Sequence, residues 1–112
     1  MGSNSGMINW VFQNSATAIG EGNILGVSSG MVTMNIEIKG TGTSTVTFEG
    51  KSLSDGDWYP IMGCNLTDLS LVTSTAIKGG LWQISLDALS NFRVRVSDFV
   101  SGNISAFGRV VN

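Results

Sequence analysis

The sequence has no histidine, one cysteine, one proline and only 14 charged side chains, six basic and eight acidic, in 112 residues. Each shortage excludes something. Without histidine, the commonest general base, metal ligand and triad partner are gone. A lone cysteine, Cys64, forms no intrachain disulfide and builds no zinc site. No base neighbours it in "IMGCNLT" to activate the thiol, so it reads as a small apolar residue. Six basic residues in a chain of net charge −2 make a poor phosphate-neutralising surface, and nucleic acid is not an expected partner. No apolar run approaches the roughly 20 residues of a membrane span. No basic segment precedes a leader-like apolar stretch, so no leader peptide is expected. The opening "MGSNSG" reads as a cloning remnant. Met7 is the expected natural start, and 7–112 a single domain.

Catalytic signatures are equally thin. Paired carboxylates cut glycosides when two acids flank the bond, but every acid here sits at a turn or at an outward strand position. Glu37 and Glu49 are expected to face each other on the surface of a 31–50 hairpin. Asp55 and Asp57 flank Gly56, yet the other ligands of a calcium loop are missing. "GTGTS" has no lysine and no following helix to make it a phosphate cradle. No enzyme activity, cofactor or metal is expected.

What the chain does have is 15 glycines and a composition that is 42% hydrophobic and only 12% charged. That excludes disorder, which needs the reverse balance. The apolar residues alternate. In "MVTMNIEI" Val32, Met34, Ile36 and Ile38 share one face. In "STVTFEG" Val46 and Phe48 point inward against Thr45, Thr47 and Glu49. In "NFRVRVSDF" Phe92, Val94 and Val96 oppose Arg93, Arg95 and Ser97. Period two is the signature of half-buried strands. "GLWQISL", "ISAFGRVV", "INWVFQ", "NILGVS", the weaker "DLSLVTSTA" and "DWYPIMG" add further strands. Pro60 cannot donate to a ladder, which places the last of these at an edge or a bulge. "LDALSN" offers at most one helical turn. Eight or nine strands punctuated by glycine turns predict an antiparallel β-sandwich of jelly-roll type, with a small closed barrel or an immunoglobulin-like sandwich as alternatives.

The second half has a recognisable order: Phe48-Glu49-Gly50, a Ser54-Asp55-Gly56 turn into Trp58, Gly80 with Trp82, the run Arg93 to Ser97, then a Ser101-Gly102 turn into the last strand. This pattern, spanning Val46 to Val111, resembles a small β-domain of tailed-phage and prophage structural proteins. The "DGDW" turn is shorter than the family's usual form, Phe99 stands where a tyrosine is common, and the first thirty residues do not align. The resemblance implies a non-enzymatic virion structural protein, an accessory head, fibre or tail component. Such a protein self-associates, docks to capsid or tail, and resides in the virion after synthesis in the bacterial host. The family suggests a trimer. Low charge at this hydrophobicity agrees with apolar surface buried between subunits.

The aromatics are the remaining question. Trp58 and Trp82 follow glycine turns in matching fashion and are expected to cap the core. Tyr59 points to the opposite face from Trp58 and is the better candidate for an exposed contact. Arg93 and Arg95 share a strand face and are expected to pair with Glu37 or Glu49. Met31, Met34 and Met62 are expected in the core. An alternative function is a carbohydrate-binding module for host attachment, with a surface glycan as ligand on Tyr59 or Trp58. The candidate contact residues are thus Tyr59, Trp58, Trp82, Arg93 and Arg95.

Overall fold

The computed structural model describes residues 6–76 and 80–111. The expected cloning remnant therefore lies almost wholly outside the described residues, as do Lys78 and Gly79 of the turn before Trp82.

Eleven described strands build the fold. Six are long: β1 (Met7–Ala16), β3 (Thr33–Thr41), β4 (Thr45–Lys51), β9 (Gly80–Ser85), β10 (Asn91–Asp98) and β11 (Asn103–Val111). Five are pieces of two or three residues: β2 (Leu25–Gly26), β5 (Tyr59–Pro60), β6 (Gly63–Asn65), β7 (Leu71–Val72) and β8 (Ser74–Ala76). They form two antiparallel sheets. Sheet A runs β1-β11-β3-β9-β6-β7; sheet B runs β2-β10-β4-β5, with β8 also pairing β4.

The order has a simple origin. β1 pairs with β11, β2 with β10, β3 with β9 and β4 with β8. The chain is thus one long antiparallel ribbon with its bend after β4. Rolling the ribbon closes it laterally through β11·β3 and β10·β4. That is the jelly roll, and the expected sandwich is what forms. The strand count exceeds eight or nine because the bend region, 51–73, contributes the short pieces β5 to β7.

The core follows from the alternation. Met34, Ile36 and Ile38 of β3 face Val46 and Phe48 of β4 and Phe92, Val94 and Val96 of β10, all at 0% exposure. Phe12 meets Phe92 edge-on at 5.4 Å between centroids, a favourable aromatic geometry. Gly108 is required by packing: a Cβ there would lie 2.6 Å from the Met34 methyl and 2.8 Å from the Phe12 ring. Gly102, at φ +82°, turns the chain between β10 and β11 against the Thr41 carbonyl, where a side chain has neither room nor a relaxed backbone.

Several local expectations are corrected. β3 and β4 are not a hairpin; they lie in different sheets, so Glu37 and Glu49 point away from opposite sides of the sandwich. Val32 falls just before β3 and is exposed, not inward. "DWYPIMG" is not one strand. The chain leaves sheet B after Pro60 and enters sheet A at Gly63, which leaves Met62 exposed at the crossing rather than in the core. "DLSLVTSTA" divides likewise between β7 and β8. The segment "LDALSN" is a turn closed by Leu89 N donating to Leu86 O, with Ala88 at φ +65°, not a helical turn. Pro60 sits on β5 at the edge of sheet B, where its missing N–H costs nothing. Cys64 is half-buried and unpaired.

Candidate docking faces

The sandwich presents two outer faces, and they differ in how far their polar groups are satisfied.

On sheet B, Glu49 of β4 stands opposite Arg93 of β10 in the strand register. Arg93 Nε donates to Glu49 Oε1 at 2.8 Å. Arg95 Nε and Nη2 donate to Oε1 and Oε2 at 3.0 Å each, a bidentate clasp. Arg93 Nη1 also reaches Glu21 at 2.8 Å, on the segment between β1 and β2. The Glu49 side chain is only 8% exposed and that of Arg93 12%. Burial alone would raise the Glu49 carboxyl. The hydrogen bonds and charges of Arg95 and Arg93 outweigh it, and the carboxyl lies below its ordinary value. The Arg95 guanidinium is correspondingly raised by its bond to Glu49. Thr47 and Ser97 complete the face with a hydroxyl–hydroxyl bond of 2.8 Å. Trp58 lies over this network, its ring 4.1 Å from the Arg93 guanidinium carbon and 4.9 Å from Lys51 Nζ.

Sheet A is different. Its outward residues form rows across four strands. Asn9, Arg109, Asn35 and Gln83 are successive register partners in one row. Val11, Phe107, Glu37 and Leu81 form the next row, and Met7 pairs with Val111 beyond. These residues line a groove of about 530 Å³. Met7, Val11, Leu81 and Val111 are each at least 40% exposed. Among the described residues, a Gln83–Asn35 amide contact at 3.5 Å and Lys39 Nζ, 5.5 Å from the Phe107 ring centre, cross the face. β1 forms its edge, interrupted by register shifts after Val11 and Gln13. Asn23 covers that edge at Val11 and Phe12, its backbone N–H donating to the Phe12 carbonyl and its side-chain amide to the Val11 carbonyl. Residues 7–10 have no described strand on that side.

The five residues singled out from sequence therefore separate. Arg93, Arg95 and Trp58 meet on sheet B. The arginines pair with Glu49, not Glu37. Trp58 does not cap the core as expected; it is half-buried outside it, because the turn delivers it to the outer face against Arg93. Trp82 is in the core at 3% exposure, beside Phe48. Tyr59 is 64% exposed, near Ile61 and Leu89. The sheet A groove was not anticipated. Its signal was available: β1 and β11 carry apolar side chains at both parities, as strands covered on both faces do.

Comparison with known proteins gives this geometry a context. The sequence model of the XepA family matches residues 6–110. The Bacillus subtilis (strain 168) protein YqxG, described as uncharacterized, is 35% identical over 103 residues, 91% of this chain and 34% of that protein. The crystal structure of the PBSX exported protein XepA superposes with a TM-score of 0.88 at 29% identity, over 95% of this chain and 38% of that one. The crystal structure of the SPBc2 prophage-derived protein YomS gives 0.86 at 23% identity, over 95% and 93%. At that identity YomS speaks for the fold alone. The chain spans about a third of the length of YqxG.

Proposed function

The chain belongs to the XepA family, and from that premise we propose that it is a prophage-derived structural module that works without a catalytic step, by self-association and by docking onto other virion proteins. The observation that carries this reading is the outer face of sheet A. Contiguous exposed apolar surface on a small domain marks an interaction site. Here Met7, Val11, Leu81 and Val111 flank Phe107 in one groove, with the polar row of Asn9, Arg109, Asn35 and Gln83 to fix register. Beside it, residues 7–10 of β1 have no described strand on their outer side, a feature that folded chains cover or pair, while Asn23 covers the edge at Val11 and Phe12.

A glycan platform on Trp58 and Trp82 has little support. Trp82 is buried, and one face of Trp58 is occupied by the Arg93 guanidinium. Tyr59 alone keeps an exposed ring.

The test is the mass of the purified chain by size-exclusion chromatography with light scattering over a dilution series. The reading expects a defined oligomer that dissociates on dilution or persists. A monomer at every concentration would remove self-association from the proposal.

A further inference from the structure

The turn that delivers Trp58 to sheet B carries a reactive pair. Asp55 is the one aspartate or asparagine in the sequence that a glycine follows. Glycine has no Cβ to shield its backbone nitrogen, so that nitrogen can reach the carboxyl carbon of the side chain before it. The structure leaves this pair accessible. Residues 52–57 are all exposed, with Asp55 in a turn. The nearest neighbours of a Cβ built on Gly56 are all atoms of Leu53, in the same turn, so no other element packs more closely on this peptide.

The other carboxylates and amides are less free to react. The Ser70 backbone N–H at 3.0 Å and the Ser70 hydroxyl at 2.8 Å hold the Asp68 carboxylate. Asn35, Asn91 and Asp98 lie in strands, where the ladder fixes the backbone. Asp57 and Asp87 precede tryptophan and alanine, whose Cβ atoms crowd the attacking nitrogen. At Asp55 one bond stands in the way: Gly56 N donates to Leu53 O at 2.9 Å and closes the turn. A hydrogen bond of this kind contributes about 1 kcal/mol net, and an exposed turn opens locally without unfolding the sandwich.

We propose that Asp55 is a site of spontaneous isomerisation, at which Gly56 N attacks Asp55 Cγ and the product, an isoaspartyl link, unseats Trp58. The first step forms the Gly56 N–Cγ bond and closes a succinimide; the amide proton and the carboxyl hydroxyl leave as water. Water then adds to the Asp55 main-chain carbonyl, whose bond to Gly56 N breaks. The chain now runs through Cγ, one methylene longer, and its mass is unchanged. Water is the one co-reactant. The ends of the loop are fixed, because Lys51 pairs with Asn91 and Tyr59 with Gly50. The extra length must be absorbed between them. There Lys51 Nζ holds the Ser54 carbonyl at 3.0 Å and lies 4.9 Å from the Trp58 ring, which also meets Arg93 at 4.1 Å. The reaction needs no second subunit, so it stands or falls separately from the docking reading.

The test ages the folded full chain, labelled with nitrogen-15, at physiological temperature and pH. Tryptic fragment 52–78 is expected to split into two species of one mass. The new species should accept a methyl group from an isoaspartyl-specific methyltransferase. Asp55→Glu keeps the charge but closes the larger ring poorly, and the second species should be lost. In the aged chain a second Trp58 indole signal should grow with the isomer, while that of Trp10, which donates to the Asn23 carbonyl, stays in place. Three results would overturn the proposal: a fragment that stays single in the folded chain while the chain in guanidinium chloride converts, methylation that persists in Asp55→Glu, or an isomer that leaves the Trp58 signal unmoved.

Discussion

The two outer faces of the sandwich are made from strands of the same kind, yet one is closed and the other open. On sheet B the outward residues of β4 and β10 satisfy each other: Glu49 holds two arginines, Arg93 holds Glu21, and Trp58 lies over the cluster. On sheet A the outward residues form rows that contact one another little, and apolar side chains lie between them in solvent. The lesson is that charge does not by itself mark a functional surface. The most charged patch of this chain is internal scaffolding, and the weakly charged face is the one left to meet a partner.

The two outward glutamates make the contrast measurable. Glu49→Ala removes the acceptor shared by two guanidiniums, one of them 12% exposed. Breaking such a pair from one side should cost about 3 kcal/mol in urea unfolding. Glu37→Ala, on the open face, should change stability by less than about 0.5 kcal/mol. Equal costs would show that the Glu49 network is no more structural than an ordinary surface pair.

Trp58→Ala comes next. Loss of the ring over Arg93 and Lys51 should cost about 1 kcal/mol. The Glu49 network should stay formed, so Arg93 and Arg95 should keep their side-chain signals in the variant's spectrum.

Acid sharpens the same comparison. The Glu49 carboxyl is lowered from an ordinary value of 4.5, so its contribution is complete above that pH and is lost as pH falls through the folded value. Stability should be level between neutrality and about pH 5 and should decline below pH 4.5. Asp68, lowered by its bonds to Ser70, acts in the same direction at a fully exposed position. Glu49→Gln should therefore flatten the acid limb without abolishing it. An unchanged limb would mean that other carboxylates carry the acid sensitivity.

The smallest effect on stability is expected on sheet A. Leu81→Lys, at a position 42% exposed, should shift unfolding by less than about 0.5 kcal/mol.

Much of the architecture was legible in the sequence because period-two alternation encodes which face is buried. The strands carrying Met34 to Ile38, Val46 and Phe48, and Phe92 to Val96 read correctly for that reason. The ion pair from Arg93 and Arg95 to Glu49 was also within reach, though the choice between Glu37 and Glu49 was not. That choice depends on which sheet each strand joins, and alternation is blind to sheet membership. The same blindness explains the bend region. Asp57 to Gly63 read as one continuous strand, whereas the chain changes sheets at Ile61 and Met62, which turns Met62 outward. The sheet A groove was missed because its rows join residues from β1, β3, β9 and β11, which are remote in sequence and meet only through register.

The most direct test of the central claim compares sedimentation of three forms over a dilution series: the unaltered chain, Leu81→Lys on the open face, and Asp98→Lys at an exposed position on sheet B. The account predicts that the unaltered chain and Asp98→Lys share one oligomeric mass, while Leu81→Lys sediments as a folded monomer. Full assembly of Leu81→Lys, or disruption by Asp98→Lys alone, would contradict it.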